Sequence, residues 1–311
     1  KKWFLSRYQS FHGSSSETIS IGDKKNLAFF KDFYPKYRSK VNEHNIYRHK
    51  KSSETESEYV QRSIDEIEKR ILKIGPENIS GFIAETMMGG LVGDVPPSKH
   101  YWKKIRILCN KYDIHLILDE IWCGTGTSGN FFCIDWDDVS PDFLTFGKTL
   151  TGGYVPLSVI ITKKKFLEKI KEKYDLIRLP SSTYQGHSLG VVAAIECQKI
   201  INDKRFLNKV INKGQYFRST INQELEKNDF FSNIRGRGMR NSVEYKSPNN
   251  DLFSEKLQKH ALSKFNLILG AKWHRVSFSP AININNQDLD KLIDQFIKTF
   301  KAVQNNWKIK A

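Results

Sequence analysis

Between Ile114 and Thr162 the chain reads as a hydrophobic strand closed by Asp119-Glu120, then a glycine-rich loop, then a second apolar run from Phe143 to Phe146, with Gly147-Lys148 and Gly152-Gly153 behind it. Few folds place an acid at the carboxyl end of one buried strand and a lone lysine just past another. Such a pair suits a cofactor that has a basic ring nitrogen and a reactive aldehyde and must be held at two points.

The surrounding elements predict how those strands are assembled. Thr55 to Ile74 has apolar residues at Val60, Ile64, Ile67, Ile71 and Leu72, a helical spacing with a capping residue in front and Gly75-Pro76 behind. Ile79 to Ala84 reads as a buried strand ending at Glu85, Ser98 to Lys111 as a helix, Ile114 to Leu118 as the next strand, and Leu157 to Ile161 as another. Strand, helix, strand points to a parallel sheet with crossover helices. Ligands of such sheets gather beyond the carboxyl ends of the strands, where Glu85, Asp119 and Lys148 all fall.

Upstream, Trp3-Phe4-Leu5 predicts a short strand, and Phe11-His12-Gly13-Ser14-Ser15-Ser16 a turn that caps a helix, followed by a polar, lysine-rich connection to about Ser52. Downstream, a helix from Ser188 to about Ile201 leads into a small α+β unit. Helices are expected there near Leu207–Leu225 and Phe253–Ser263 and from Asn286 to about Lys301. Strands are expected at Asn241–Tyr245, Leu267-Ile268 and Val276–Ser279. The expected domains are therefore 1–201, carrying the cofactor, and 202–311.

With 311 residues, 39% of them hydrophobic, the chain can bury a full core. No apolar run reaches the roughly 20 residues that cross a bilayer, and the apolar part of the start is too short for a signal peptide, so no membrane association and a cytoplasmic location are expected. The first residue is not methionine and the sequence opens on a strand, which suggests a partial chain. A formal charge of +16 raises nucleic acid as a partner, but the lysines are dispersed, as in Lys163-Lys164-Lys165 and Lys169-Lys171-Lys173. A solvated surface is the preferred reading over a nucleic-acid footprint. Cys109, Cys123, Cys133 and Cys197 form no Cys-x-x-Cys pair; reduced core thiols are expected, with no metal site.

Gly124-Thr125-Gly126-Thr127-Ser128-Gly129 matches the dinucleotide pattern, but two acids separate it from its strand and Asn130-Phe131-Phe132 does not open a helix. Gly147-Lys148-Thr149 resembles the end of a phosphate-binding P-loop, yet Asp142 stands where that loop needs a glycine. Lys148 follows an apolar strand and precedes Leu150, an enclosed setting in which a lysine serves as a nucleophile toward carbonyls. With Asp119, and with Phe11 and Ile121 available to sandwich a flat ring, it makes a constellation for pyridoxal phosphate.

Phe11-His12-Gly13, the segment Glu85 to Pro97, Asp119-Glu120-Ile121 with its glycine loop, Pro141-Asp142 through Lys148, Gly152-Gly153-Tyr154 and Thr183-Tyr184-Gln185-Gly186-His187 follow one another as in class III aminotransferases, which the chain resembles over nearly its whole length. These are fold-type I pyridoxal-phosphate enzymes: α/β, with a mixed, mostly parallel sheet flanked by helices and a smaller C-terminal α+β domain. The resemblance implies that Lys148 is the Schiff-base lysine and proton shuttle, and that Asp119 pairs with the pyridine nitrogen and keeps it protonated. It also implies that Phe11 and Ile121 cover the two ring faces, that His12 belongs to the cofactor-binding residues, and that Glu85 is a supporting acid. Thr183 looks like the residue that reaches the cofactor phosphate of a neighbouring subunit, which implies a homodimer.

Three departures accompany these matches. The family's phosphate-binding loop lies upstream of Phe11-His12-Gly13 and does not occur in this sequence. Trp122 stands where many members have a glutamine, and indole offers only a donor. Ser277 stands where many carry an arginine for a substrate carboxylate; Arg275, two residues away on a strand, faces the same side. The implied activity is transfer of an amino group from an amine or ω-amino acid to an oxo acid through two half-reactions. The alternatives are an aminomutase of the glutamate-semialdehyde type and a catalytically idle or basic binding protein on the same scaffold.

Overall fold

In the computed structural model of the chain, which describes residues 1–23, 32, 34–174 and 182–308, the strand–helix–strand order becomes a sheet with helices packed against it. One compact unit comprises Lys1–Leu91, Pro97–Thr125 and Phe132–Ile201. In chain order it holds β1 (Trp3–Arg7), α1 (Ser16–Ile21), β2 (Arg38–Val41), α2 (Ile46–His49), α3 (Glu56–Ile74), β3 (Ile79–Glu85), α4 (Tyr101–Lys111), β4 (His115–Asp119), β5 (Phe143–Gly147), β6 (Ser158–Thr162), α5 (Lys164–Tyr174) and α6 (Ser188–Ile201). Among the described residues six strands pair in the order β2-β1-β3-β4-β5-β6. Every pairing is parallel except that of β5 with β6.

The helix α3 forms where its pattern predicts. Thr55 and Glu58 close a capping box at its start, and Gly75 at φ 89° ends it. Its Val60, Ile64, Ile67 and Ile71 bury together with Trp102, Ile105 and Leu108 of α4 and with Phe82, Ala84, Leu116, Leu118 and Leu144 of the sheet. Each such side chain contributes about 1.5–3 kcal/mol by leaving water. This packing fixes the level at which β3, β4 and β5 end.

The second unit comprises Val92–Pro96, Gly126–Phe131 and Asn202–Ala311. It contains α7 (Lys204–Leu225), β7 (Phe231–Arg237), β8 (Arg240–Tyr245), α8 (Asn250–Phe265), β9 (Gly270–Lys272), β10 (Arg275–Phe278) and α9 (Asn286–Lys308). Its described strands form an antiparallel sheet in the order β7-β8-β10-β9. Phe217, Phe253, Phe296 and Phe300 from the three helices share its core.

Several expectations are corrected. The lysine-rich connection contains β2 and α2; residues 24–31 and 33 of it lie outside the described residues. The strand β2 is an edge strand that buries only Val41, so its sequence carries no apolar run. Leu267-Ile268 is not a strand. Asn266 sits at φ 53°, and the Leu267 N–H donates to the Ala261 carbonyl, closing α8 rather than joining a ladder. The strand β9 begins later, at Gly270. The run Lys163-Lys164-Lys165 leads into α5, in which no described residue is buried.

Cys109, Cys123 and Cys133 are buried free thiols and Cys197 is partly exposed. Among the described residues no helix is long and apolar enough to cross a membrane, and no group of three or more His, Cys, Asp or Glu could hold a metal ion.

Candidate active site

Parallel pairing brings the strand ends to one edge. Glu85, the last residue of β3, is in register with Asp119, the last of β4, and Asp119 is in register with Thr145 of β5. The carboxylate of Asp119 is held from two sides: His12 Nδ1–H donates to Oδ2 at 2.8 Å, and the Ile121 N–H donates to Oδ1 at 3.0 Å. The imidazole comes from the segment after β1, so it reaches across the end of β3 to its partner. Each carboxylate oxygen can accept a further hydrogen bond.

Glu85 lies beside this pair and is only 5% exposed. Burial pushes its carboxyl up to about 7 from an ordinary 4.5; the charges of His12 and Arg7 oppose that rise and the Asp119 charge adds to it. The Arg7 guanidinium donates to the Glu85 backbone carbonyl. In the unfolded chain Glu85 ionises near its ordinary value, so the folded state holds an extra proton between about 4.5 and 7 and loses stability as pH rises through that window. Glu85→Gln does not titrate. The variant should gain on the wild type progressively from pH 4.5 to 7, by an amount on the order of 3 kcal/mol, and hold a constant difference outside it. Urea unfolding across that range measures the difference; parallel curves throughout would contradict the shift.

Lys148 follows β5 and opens a short 3-10 turn at φ 50°. The enclosed setting expected from its apolar neighbours is corrected: Lys148 is exposed. Phe146 and Leu150 on either side of it bury against Ala194 of α6, and the turn between them directs Lys148 outward. Its Nζ lies 5.1 Å from the ring centroid of Trp122. Ile121 is half-buried and reaches the backbone before Lys148, since a Cβ on Gly147 would stand 3.3 Å from Ile121 Cδ1. Phe11 is half-buried next to His12, whereas Thr183 lies in an exposed turn before α6.

Two contributors have no motif of their own. Arg7, 2% exposed at the end of β1, stands 5.5 Å over the Trp102 ring and tethers Glu85. Glu120 accepts from Thr86 Oγ1 at 2.9 Å and from the N–H groups of Cys133 and Ile134 at 2.7 and 2.8 Å, fastening the chain beyond the glycine loop to the end of β4. Burial pushes its carboxyl well above the usual range. Their signal in the sequence was only a charged residue abutting an apolar strand. Within the second unit, Ser277 Oγ lies 3.0 Å from Ser242 Oγ, which donates to Asp94 at 2.7 Å, so Ser277 belongs to a hydroxyl pair ending in a carboxylate.

The strand-end residues fit a pyridoxal phosphate ring. Asp119 has acceptor capacity left, and His12 Nε2 and Glu85 Oε2 are buried polar atoms without a hydrogen-bond partner, suited to a polar ring bearing a hydroxyl.

Known proteins share this sequence and fold over nearly all of the chain. An aminotransferase of Gibberella zeae is 29% identical over 310 residues, covering 94% of this chain and 60% of that protein. Gamma aminobutyrate transaminase 2 of Solanum lycopersicum is 29% identical, covering 98% of this chain and 68% of that protein. The crystal structure of an (S)-enantioselective omega-transaminase from Thermomicrobium roseum superposes with a TM-score of 0.88 at 27% identity, covering 97% of this chain and 68% of that one. The chain thus spans about 60% of the length of the first relative and about two thirds of the other two. Its fold is that of the fold-type I transaminases. Residues 1–300 match the Aminotransferase class-III family, and to that family the chain belongs.

Proposed function

We propose that the chain is a pyridoxal-phosphate-dependent aminotransferase that moves an amino group from an amine or ω-amino acid to an oxo acid. The observation that carries this reading is the Asp119 carboxylate, fixed by His12 and Ile121 at the end of one strand, with a lysine just past the end of the next. The cofactor, when bound, supplies an aldehyde and a ring that accepts electrons. Asp119 holds a proton on the ring nitrogen, and His12 keeps the carboxylate from rotating away. Lys148 would supply the amine that holds the cofactor and the base that moves a proton at the substrate carbon. Phe11 and Ile121 cover the ring faces, Glu85 is the neighbouring acid, and Thr183 serves the phosphate of a second subunit. The tomato relative's name, with its amino group remote from the carboxylate, supports an ω-amino donor.

The test is the absorption spectrum of the protein with pyridoxal phosphate, before and after a panel of amines and ω-amino acids. The expected result is a borohydride-reducible visible band that donors bleach and oxo acids restore. A band that no donor bleaches, with salt-dependent binding to nucleic acid, would favour the idle or basic binding reading. Turnover without added oxo acid would favour the aminomutase.

A homodimer is part of the proposal. Leu189, Val192 and Ile195 of α6 are 67, 56 and 48% exposed, an apolar face that association would cover. Val192→Glu with Ile195→Glu should turn a sedimenting dimer into a monomer; an unchanged sedimentation coefficient would exclude α6 from the interface.

A further inference from the structure

Trp122 and the Gly89-Gly90 pair are the features near the strand ends that no role above absorbs. The indole is half-buried three residues after Asp119 and packs against Gly89. A Cβ at Gly89 would stand 2.4 Å from Trp122 Cδ1 and 2.8 Å from Cγ and Nε1, so the seat exists only because residue 89 has no side chain. The same indole has Lys148 Nζ at 5.1 Å from its ring centroid, within the range of a cation–π contact. Lys148 is exposed and sits on a left-handed backbone at φ 50°.

We infer that Trp122 is a positioning residue for Lys148: its ring face, seated on Gly89, holds the ammonium beside the end of β5 while the amine is charged. The ring quadrupole attracts the ammonium but not the neutral amine. Loss of the proton therefore does two things together: it makes the nitrogen nucleophilic and it releases it from the indole. This rests on the reading of Lys148 as the amine that bonds the cofactor, and it adds a device that charges, parks and frees that amine.

The test uses the cofactor-free protein and trace acetic anhydride from pH 7 to 11, with acetylation of the Lys148 peptide read by mass spectrometry. The midpoint of the profile reports the amine's proton affinity and the plateau its accessibility. Trp122→Leu should lower the midpoint by a few tenths of a pH unit, giving about two- to fivefold more neutral amine at a fixed pH below it. Trp122→Phe, which keeps a weaker ring face at similar bulk, should fall between. Gly89→Ala, which displaces the indole, should follow the leucine variant. Asp119, Glu120, Glu85 and His12, the titratable groups of the neighbouring strand ends, are common to all the proteins, so the comparison isolates the ring.

Equal midpoints in all four proteins, or a plateau that rises while the midpoint stays fixed, would overturn the inference, since the ring would then only shield the lysine. If Trp122→Leu does not fold, the phenylalanine variant decides by the same criterion. The outcome is separable from the function: a midpoint that follows the ring in a protein that never forms the reducible band would leave the hold of Trp122 on the Lys148 ammonium standing and remove the aminotransferase reading.

Discussion

Lys148→Ala should abolish the reducible visible band and lower transamination by a factor on the order of 10⁴, the upper end of what a positioned acid–base group supplies. Folding should be little affected, because Lys148 is exposed and the packing around it comes from Phe146, Leu150 and Ala194. Lys148→Arg is the companion variant. It keeps a cation able to lie over Trp122 but offers no amine that can bond a carbonyl, so it should be as inactive as the alanine variant. Unfolding free energies from urea titration within about 0.5 kcal/mol of wild type, the range for exposed positions, would confirm that chemistry alone was lost. Persistence of the band in either variant would exclude Lys148 as the bonding amine.

The second large effect is expected at Asp119. Replacing it with asparagine retains an oxygen that can accept from His12 but removes the charge that faces the ring nitrogen. Activity should fall on the order of 10²–10³, as when a positioned electrostatic partner is removed from an enclosed site. Asp119→Ala should cost more, because it leaves His12, whose side chain is 1% exposed, with neither ring nitrogen hydrogen-bonded. Equal losses in the two variants would mean that the hydrogen bond to His12 adds nothing beyond the charge. A cofactor analogue with no basic ring nitrogen should be insensitive to the asparagine change.

The edge formed by Glu85, Asp119 and Lys148 was legible because parallel strands end on one side and each of these residues closes or follows an apolar run. The helix α3 was legible through its cap, its period and its terminating glycine. What escaped had physical reasons. The strand β2 is an edge strand with one buried side chain, so it shows no apolar run; α5 carries Phe166, Leu167 and Ile170 at helical spacing, but no described residue of it is buried and lysines crowd that face. Lys148 is exposed although Phe146 and Leu150, its apolar neighbours in sequence, are buried. A 3-10 turn repeats every three residues, so Gly147 and Leu150 face inward and the lysine between them does not. The pairing of His12 with Asp119 joins residues 107 positions apart, and the seating of Trp122 depends on a missing Cβ; neither leaves a local trace.

That long reach has a consequence for how the molecule comes into being. The imidazole follows β1, the carboxylate closes β4, and β3 lies between the two strands in the sheet. No hairpin, and no single strand–helix–strand unit, can make the contact; three strands distant in sequence must first be laid side by side. Contacts of such separation are costly to close and slow to form, and they tend to complete late. The carboxylate is thus steadied only after the sheet around it has been assembled. A folding intermediate that contains β3, α4 and β4 would have the acid without its brace, so competence to hold a cofactor reports that the sheet has closed.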